Sequence, residues 1–493
     1  MYHPTFKEFK RLSKKGNLVP VYKEILADLE TPVSAFMKIM DDDYAYLLES
    51  VEGTQKIARY SFLGAHPSLI FKAKDNIVEI TAERKKKKIT FKTDPLLEIK
   101  KIMQQFKSVE VKDLPRFYGG MVGFIGYDMV KFFEPKLKIL DSKKRDVDFP
   151  DAVFMLSDKL FIFDHFNHKI KIVACVFIKD KKKIKGYYHK GLKDIEAMHK
   201  RLKGPLKKQF LEERPCAIGQ ISSNLSKPRF TRIVNEAKRY IRQGDIIQVV
   251  LSQRFKVGID CRPLSIYRRL RSINPSPYMF CLKLHDLSLI GSSPEMLIRC
   301  EGGLVQTRPI AGTRPRGRDE ESDNLLARQL LLDKKERAEH IMLVDLGRND
   351  LGRVCRFSTV RVSEFMSIER FSHVMHITSE VTGRLRAQED IYSLLRGAFP
   401  AGTVTGSPKI RAMEIINELE DTRRGPYAGC IGYFSFSGNL DTCITIRTIF
   451  LKGKTAYFQS GAGIVADSRP VREYNETINK ARALVEAIVG LHK

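Results

Sequence analysis

At 493 residues, 43% of them hydrophobic, the chain is longer than one core usually fills, so two domains or one large composite body is expected. No apolar run approaches the roughly 20 residues that cross a bilayer, Met1–Lys15 has no apolar signal region, and the eight cysteines contain no CxxC pair, which points to packed, reduced thiols in a cytoplasmic protein rather than to a disulfide framework or zinc site. The formal net charge of +28 would suit nucleic acid, but the lysines are dispersed and their densest runs, Arg84–Lys88 and Lys179–Lys185, fall between strand-like segments with few aromatics, so the charge is read as a solvated surface favouring anionic small molecules and acidic partners.

In chain order, the N-terminal part reads as strands with few helices: Tyr44–Ser50, Arg59–Gly64, Ser68–Lys72, Ile77–Thr81 and, beyond a basic turn, Ile89–Lys92. Asp94-Pro95 caps a helix whose apolar side is Leu96, Leu97, Ile99, Ile102, Met103 and Phe106. Gly119, Gly120, Gly123 and Gly126 lack the spacing of a dinucleotide fingerprint and read as a packed strand with close backbone neighbours. Ala152–Phe163 and Lys169–Ile178 form a hairpin around Asp164–His168, and a basic helix runs on to Arg201. Three prolines and no periodicity mark residues 204–228 as a connecting segment. Ile233, Ala237, Tyr240 and Ile241 recur at helical spacing before a Gly244 C-cap, and Asp245–Phe255 is a buried strand. Strands and helices alternate from there to the end.

Near the C-terminus, Gln459–Ser468 reads as a strand end opening into a small-residue loop, where Gly461 and Gly463 let the backbone approach an anion. In the helix that follows, Glu473, Glu476 and Lys480 share one side, and Ala481, Leu484, Val485 and Ile488 form an apolar stripe. Two carboxylates and an ammonium beside free amides suit an anionic ligand with a hard cation. Arg447 interrupts an apolar strand from Cys443 to Phe450, which is costly unless a carboxylate meets it.

Residues 230–490 resemble the chorismate-utilising enzyme family, on its anthranilate-forming, large-subunit branch. The resemblance rests on GDIIQVVLSQRF (244–255), NPSPYMF (274–280), GSSPEMLIR (291–299), TRPIAGTRPRG (307–317), ERAEHIMLVDLGRNDLGRV (336–354), SHVMHI (372–377), FPAGTVTGSPKIRAMEII (399–416), ITIRT (444–448) and QSGAGIVADS (459–468). It implies an α+β fold of two large, mostly antiparallel sheets flanked by helices, and a magnesium-dependent lyase that turns chorismate and ammonia into anthranilate and pyruvate, the first committed step toward tryptophan. By resemblance Glu339 and Glu476 are the Mg²⁺ ligands. Arg447 and Tyr427, with Gly461, Ala462 and Gly463, hold the enolpyruvyl carboxylate. Glu295 is the general acid near the departing hydroxyl, His376 serves pyruvate elimination, Thr403 supplies a pocket hydroxyl, and Lys480 holds the metal-site glutamates or the ring carboxylate. The family's usual serine is Thr405 here, which puts a ligand role for that residue in question.

Two positions choose among relatives. Gln248 stands where water-activating members carry lysine, and Ala311 stands where members that attack the ring covalently carry lysine, so ammonia is left as nucleophile. Gly429-Cys430-Ile431-Gly432 is not a glutaminase elbow, which implies a separate glutamine amidotransferase subunit, in a heterotetramer. Glu49 and Ser50, with Pro277, Tyr278 and Met279 and, further out, Lys56, resemble the tryptophan feedback site; the chain itself has no Trp. On this reading residues 1–203 are the regulatory part, 204–228 connect, and 229–493 bind chorismate.

Overall fold

Side-chain alternation along the strands decides the architecture. In Tyr278–Leu284, Phe280 and Leu282 enter one apolar core and Met279 and Cys281 another; Tyr46 and Leu47 divide in the same way along Tyr44–Glu49. A sheet apolar on both faces must be covered on both. One face meets a second sheet through Phe71, Phe124, Ile298 and Ile431. The other is roofed by helices Pro32–Ile39, Ile184–Leu202, Pro263–Ile273 and Pro470–Val489, which deliver Phe36, Ile195, Tyr267 and Leu484.

The computed structural model describes the chain except residues 41–42, 52–58, 84, 92–93, 138–144, 207–216, 372–373 and 491–493. The first sheet has fourteen strands and the second twelve, and every strand pairing described is antiparallel, so the fold is the α+β arrangement expected. Both sheets mix residues from before and after the connecting segment: Leu48 pairs with Phe280 in the first, and Gly123 with Gly432 in the second. Among the described residues no helix is long and apolar enough to cross a membrane.

Several elements differ from the sequence reading. The stretch Ala152–Phe163 is two strands, Ala152–Ser157 in the second sheet and Lys159–Asp164 in the first, with Asp158 at the crossing. Lys85–Lys88 lie inside an edge strand, Lys85–Thr90, rather than a turn, and exposed lysines there protect an open edge from pairing with other chains. The strand placed at Asp245–Phe255 begins at Gln248 and runs to Asp260. Asp94 accepts from the Leu96 N–H at 2.8 Å, and the helix spans Leu96–Gln104. Six of the described cysteines are free and buried, whereas Cys261 is disulfide-bonded, contrary to the all-reduced expectation.

Gly123 sits in Gly120–Ile125, a fully buried interior strand, and a Cβ there would lie 1.9 Å from the Val153 carbonyl oxygen. Gly123→Ala is therefore expected to lower stability by about 2 kcal/mol or more, because the backbone of a central strand must move. An unchanged denaturation midpoint would remove this strand from the packed centre.

Candidate active site

Neighbouring strands change sheet together, and the changeover builds the site. Leu287–Ser293 belongs to the first sheet and its continuation, Met296–Glu301, to the second. Their partners do the same in reverse: Leu440–Ile444 lies in the second sheet and Thr448–Lys452 in the first. Glu295 and Arg447 occupy the two corners, so Arg447 does not interrupt one strand but links two, at φ 51°. The corners are tied by Ile444 N–H to the Glu295 carbonyl (3.0 Å), Ser292 N–H to the Arg447 carbonyl (3.1 Å) and the Ser293 hydroxyl to the Ile444 carbonyl (2.7 Å).

Burial pushes the Glu295 carboxyl up to about 8, a rise opposed by the nearby Thr403 hydroxyl and the Lys480 ammonium, so the acid carries its proton at neutral pH. The Thr403 hydroxyl itself makes no well-formed hydrogen bond within the described protein. Glu295 and Thr403 line a cavity with Leu343, Asp350, Gly402 and Ile444.

Arg447 is largely buried, and among the described residues no carboxylate pairs with it; its Nη1 donates to the Lys480 carbonyl. Beside it runs Thr455–Ile464, which remains a strand through the glycines and does not open into the loop expected there. Val250 and Ser252 turn their amides away from this strand, to the Thr405 carbonyl (2.8 Å) and the Glu420 carboxylate (2.9 Å). Their cross-strand partners Gly463 and Gly461 must turn away too, because an antiparallel pair exchanges both bonds or neither. The Gly461 carbonyl accordingly accepts from Lys480 Nζ at 3.1 Å. Thr448–Lys452 pairs only as far as Phe458, so the Gly461 and Gly463 N–H groups form an uncovered ledge of two donors. The Tyr427 hydroxyl lies over it, 2.8 Å from where a Cβ on Gly461 would stand, and burial pushes that phenol up to about 12. The Gln248 amide closes on Gly463 in the same way, 2.4 Å from its would-be Cβ. Ala462, between them, points its side chain into a separate core with Leu251 and Ile416 and its amide into the ladder, so it brings no polar group to the ledge, contrary to its expected substrate role.

Glu339 and Glu476 approach from two helices, Lys334–Gly352 and Pro470–Val489. Asp333 caps the first by accepting from the Lys335 and Glu336 amides (3.0 and 3.2 Å), and the apolar stripe of the second turns Glu476 away from the core. The Glu339 carboxyl is raised by burial and by repulsion from Glu336 and Glu476, against the pull of Lys480 and Lys335. Lys480 Nζ pairs with Glu476 Oε1 at 2.7 Å, and its charge also acts on Glu473, which burial raises. Two partly buried like charges on facing helices form a site that a divalent oxygen-seeking ion fits, one that keeps most of its waters. Among the described residues no three acidic, histidine or cysteine side chains form a complete metal cage.

His376 lies on Val374–Arg384, opposite Thr313. Its Nδ1 is 2.8 Å from the Gly312 carbonyl, which can only accept, so Nδ1 carries the proton and Nε2 presents a lone pair. Burial lowers the imidazole's proton affinity; the Gly312 bond opposes this and Arg447 adds to it, so the ring is neutral. Thr405 is buried and its hydroxyl donates to the Ala401 carbonyl (2.8 Å).

A second cavity lies between the sheets, lined by Glu49, Ser50, Pro277, Tyr278 and Met279 together with Arg299 and Asp441. The Ser50 hydroxyl is buried and has no hydrogen-bond partner among the described residues. Glu49 already accepts from Tyr267 and faces Arg271 at 3.3 Å, and the Met279 side chain packs with the helix-side core. Lys56 lies outside the described residues. Sequence reasoning passed over Asp350, whose carboxylate meets Lys409 Nζ at 2.7 Å on the wall of the Glu295 cavity, although both residues fall within the GRND and SPK stretches that carry the resemblance.

The chain matches the model of the chorismate binding enzymes over residues 43–486. It is 47% identical over 493 residues to anthranilate synthase component 1 of Acetivibrio thermocellus, covering 99% of each chain. To the protein of the same name from Thermus thermophilus it is 42% identical over 471 residues, 95% of this chain and 97% of that one. The crystal structure of anthranilate synthase component I from Streptococcus pneumoniae is similar, with a TM-score of 0.78 at 36% identity over 93% of this chain and 98% of that one. The menaquinone-specific isochorismate synthase of Escherichia coli shares the fold, with a TM-score of 0.71 at 18% identity over 98% of each chain.

Between the ordinary carboxyl value of 4.5 and about 8, the folded chain keeps a Glu295 proton that the unfolded chain has released. This group's penalty is therefore absent below the lower value, grows as pH rises through the window, and is complete above it. Glu295→Gln has no charge to bury, so its unfolding temperature should gain on the wild type as pH is raised across that range. A difference that stays flat with pH would mean a solvated carboxylate.

Proposed function

The chain belongs to the chorismate-binding enzyme family, and on that premise we propose that it is the large subunit of an anthranilate synthase, converting chorismate and ammonia to anthranilate, pyruvate and water. The observation that carries this reading is Arg447: a buried guanidinium with no carboxylate partner among the described residues, beside the two amides of Gly461 and Gly463 and the Tyr427 hydroxyl. Such a set of donors calls for a carboxylate from outside, and the enolpyruvyl group of chorismate has one. Glu295, protonated at neutral pH, gives its proton to the departing 4-hydroxyl, so that water leaves. His376, neutral with Nε2 free, takes the proton from C2 as pyruvate is eliminated and the ring becomes aromatic. Gln248 offers no base to activate water and Ala311 no nucleophile for covalent attack, which favours direct addition of ammonia at C2 over the 4-amino chemistry of the aminodeoxychorismate relatives.

Glu339 and Glu476 would hold a Mg²⁺ ion, whose contribution when bound is to draw charge from the ring carboxylate. Lys480 offsets part of the negative charge of Glu339, Glu473 and Glu476, and of the four glutamates around it Glu295 is the one that lines the cavity with Thr403. Ammonia would come from a separate glutaminase subunit in a heterotetramer. Cys430, in the one Gly-Cys-x-Gly stretch, is buried and its thiol is pushed well up, so it supplies no thiolate for glutamine hydrolysis. The six free, buried thiols among the described residues fit a cytoplasmic location.

Tryptophan would occupy the cavity between the sheets, its ammonium toward Glu49 and Ser50 and its indole against Pro277 and Tyr278, making residues 1–203 the regulatory part. A physical route supports this: Asp441 and Cys443 line that cavity, and the next residue of the strand, Ile444, lines the other and holds the Glu295 carbonyl.

With chorismate, Mg²⁺ and ammonium at alkaline pH, where free ammonia is abundant, the purified protein should release a fluorescent 2-aminobenzoate and an equal amount of pyruvate. A 4-amino product would transfer the assignment to the aminodeoxychorismate synthases. Glu476→Ala should abolish turnover, and activity that persists without metal would take that residue out of the site. Ser50→Ala should shift the tryptophan inhibition curve to higher concentration and leave uninhibited turnover intact; an unmoved curve would detach the cavity from regulation.

A further inference from the structure

The floor beneath the Gly461–Gly463 ledge is a charged pair that the proposed chemistry does not use. Arg424 is 2% exposed, and its guanidinium spends four donors on four different oxygens. Nε and Nη2 meet Glu420 Oε2 and Oε1 at 2.9 and 2.7 Å, Nη2 also reaches the Val250 carbonyl at 2.7 Å, and Nη1 reaches the Val404 carbonyl at 2.7 Å. Its Cζ lies 5.6 Å from the Tyr427 ring centroid and 4.8 Å from that of Tyr127. Glu420 in turn accepts from the Ser252 amide at 2.9 Å and the Ser252 hydroxyl at 2.8 Å.

Each partner stands directly behind a wall of the pocket. Val250 and Ser252 are the cross-strand neighbours of Gly463 and Gly461, so the pair holds the far edge of the strand on which the ledge rests. Val404 follows Thr403, the hydroxyl beside Glu295. Tyr427 is the phenol above the ledge. We propose that Arg424, oriented by Glu420, is a positioning residue that sets the mutual register of three walls of the substrate pocket: the Gly461–Gly463 amides, the Tyr427 hydroxyl and the Thr403 loop. A planar fork delivers donors in three directions at fixed angles, which neither a lysine ammonium nor an apolar side chain of similar length reproduces. The pair touches no substrate atom; it acts through the groups it holds. This proposal rests on the chorismate reading above.

A buried ion pair can serve stability alone, so the test must separate the two roles. Arg424→Lys and Glu420→Gln would be assayed with chorismate and ammonium well below their unfolding temperatures, each alone and combined with Tyr427→Phe. The expected result is a rise of about tenfold or more in the KM for chorismate, with a smaller fall in kcat, since the displaced groups grip the ground-state carboxylate. The effects of Arg424→Lys and Tyr427→Phe should be markedly less than multiplicative, because the first acts partly through the second. Lowered unfolding temperatures with unchanged KM, or effects that simply multiply, would overturn the positioning role. Should Arg424→Lys fail to fold, Glu420→Gln, which keeps volume and one acceptor, decides on the same criteria. A wild-type protein that does not turn over chorismate would overturn the function itself and this inference with it, whereas wild-type turnover with an indifferent Glu420→Gln overturns the inference alone.

Discussion

Two neighbouring strands that leave one sheet for the other at the same level are the constraint on which the rest of the molecule depends. At such a corner the backbone loses its ladder partners, so the chain supplies local bonds instead: Ser293 to Ile444, Ser292 to Arg447, and Ile444 to Glu295. A side chain at a corner belongs to neither face and projects into the gap between the sheets. That is how Glu295 and Arg447, 152 positions apart by their numbers, come to stand at facing corners tied to each other. The same device recurs at Asp158, where the facing corner lies between Tyr60–Ala65 and Leu69–Lys74; burial raises the Asp158 carboxyl, against the pull of Lys159 and the Ser68 hydroxyl.

Electrostatically the site is built around an imbalance kept at short range. Lys480 bridges the Gly461 carbonyl and Glu476, and its charge lowers the proton affinity of Glu295, Glu339 and Glu473, each of which burial raises. One ammonium among four carboxyl groups leaves room for a divalent ion on the side of Glu339 and Glu476. The buried Arg447, which the Glu476 charge also reaches, leaves room for an anion. Beside it runs the ledge of glycine amides. It exists because Glu420 and Thr405 capture the amides of the neighbouring strand and so turn the Gly461 and Gly463 pairs outward. Small residues are needed there because Tyr427 and Gln248 occupy the space where side chains would go.

Local chemistry was easiest to read where it was periodic. The stripe of Ala481, Leu484 and Ile488 announces its helix, and the glycines around Gly123 read as packing, as they are: a Cβ on Gly123 would strike the Val153 carbonyl. The residues of the proposed site were legible as types: an arginine in apolar company, glutamates at helical spacing, a glutamate after Ser-Ser-Pro. What misled was continuity. An apolar run such as Ala152–Phe163, or Cys443–Phe450 around Arg447, looks the same whether it stays in one sheet or passes to another, because both paths bury all but the residues at the crossing. The lysines of Lys85–Thr90 read as a turn because edge protection and solvated loops draw on the same side chain.

From its own order the chain determines which segments are apolar on two faces, where helices begin, and which family's chemistry its motifs follow, because these depend on neighbours one to four residues away. Only the tertiary structure decided that Ala462 faces a core and not the pocket, that Glu49 is already held by Tyr267, and that Arg424 lies beneath three walls at once. Those outcomes depend on which strand lies alongside and which corner faces which. Tyr267 is 218 residues from Glu49 and Val250 is 174 from Arg424, and no local pattern of spacing or polarity encodes such partners.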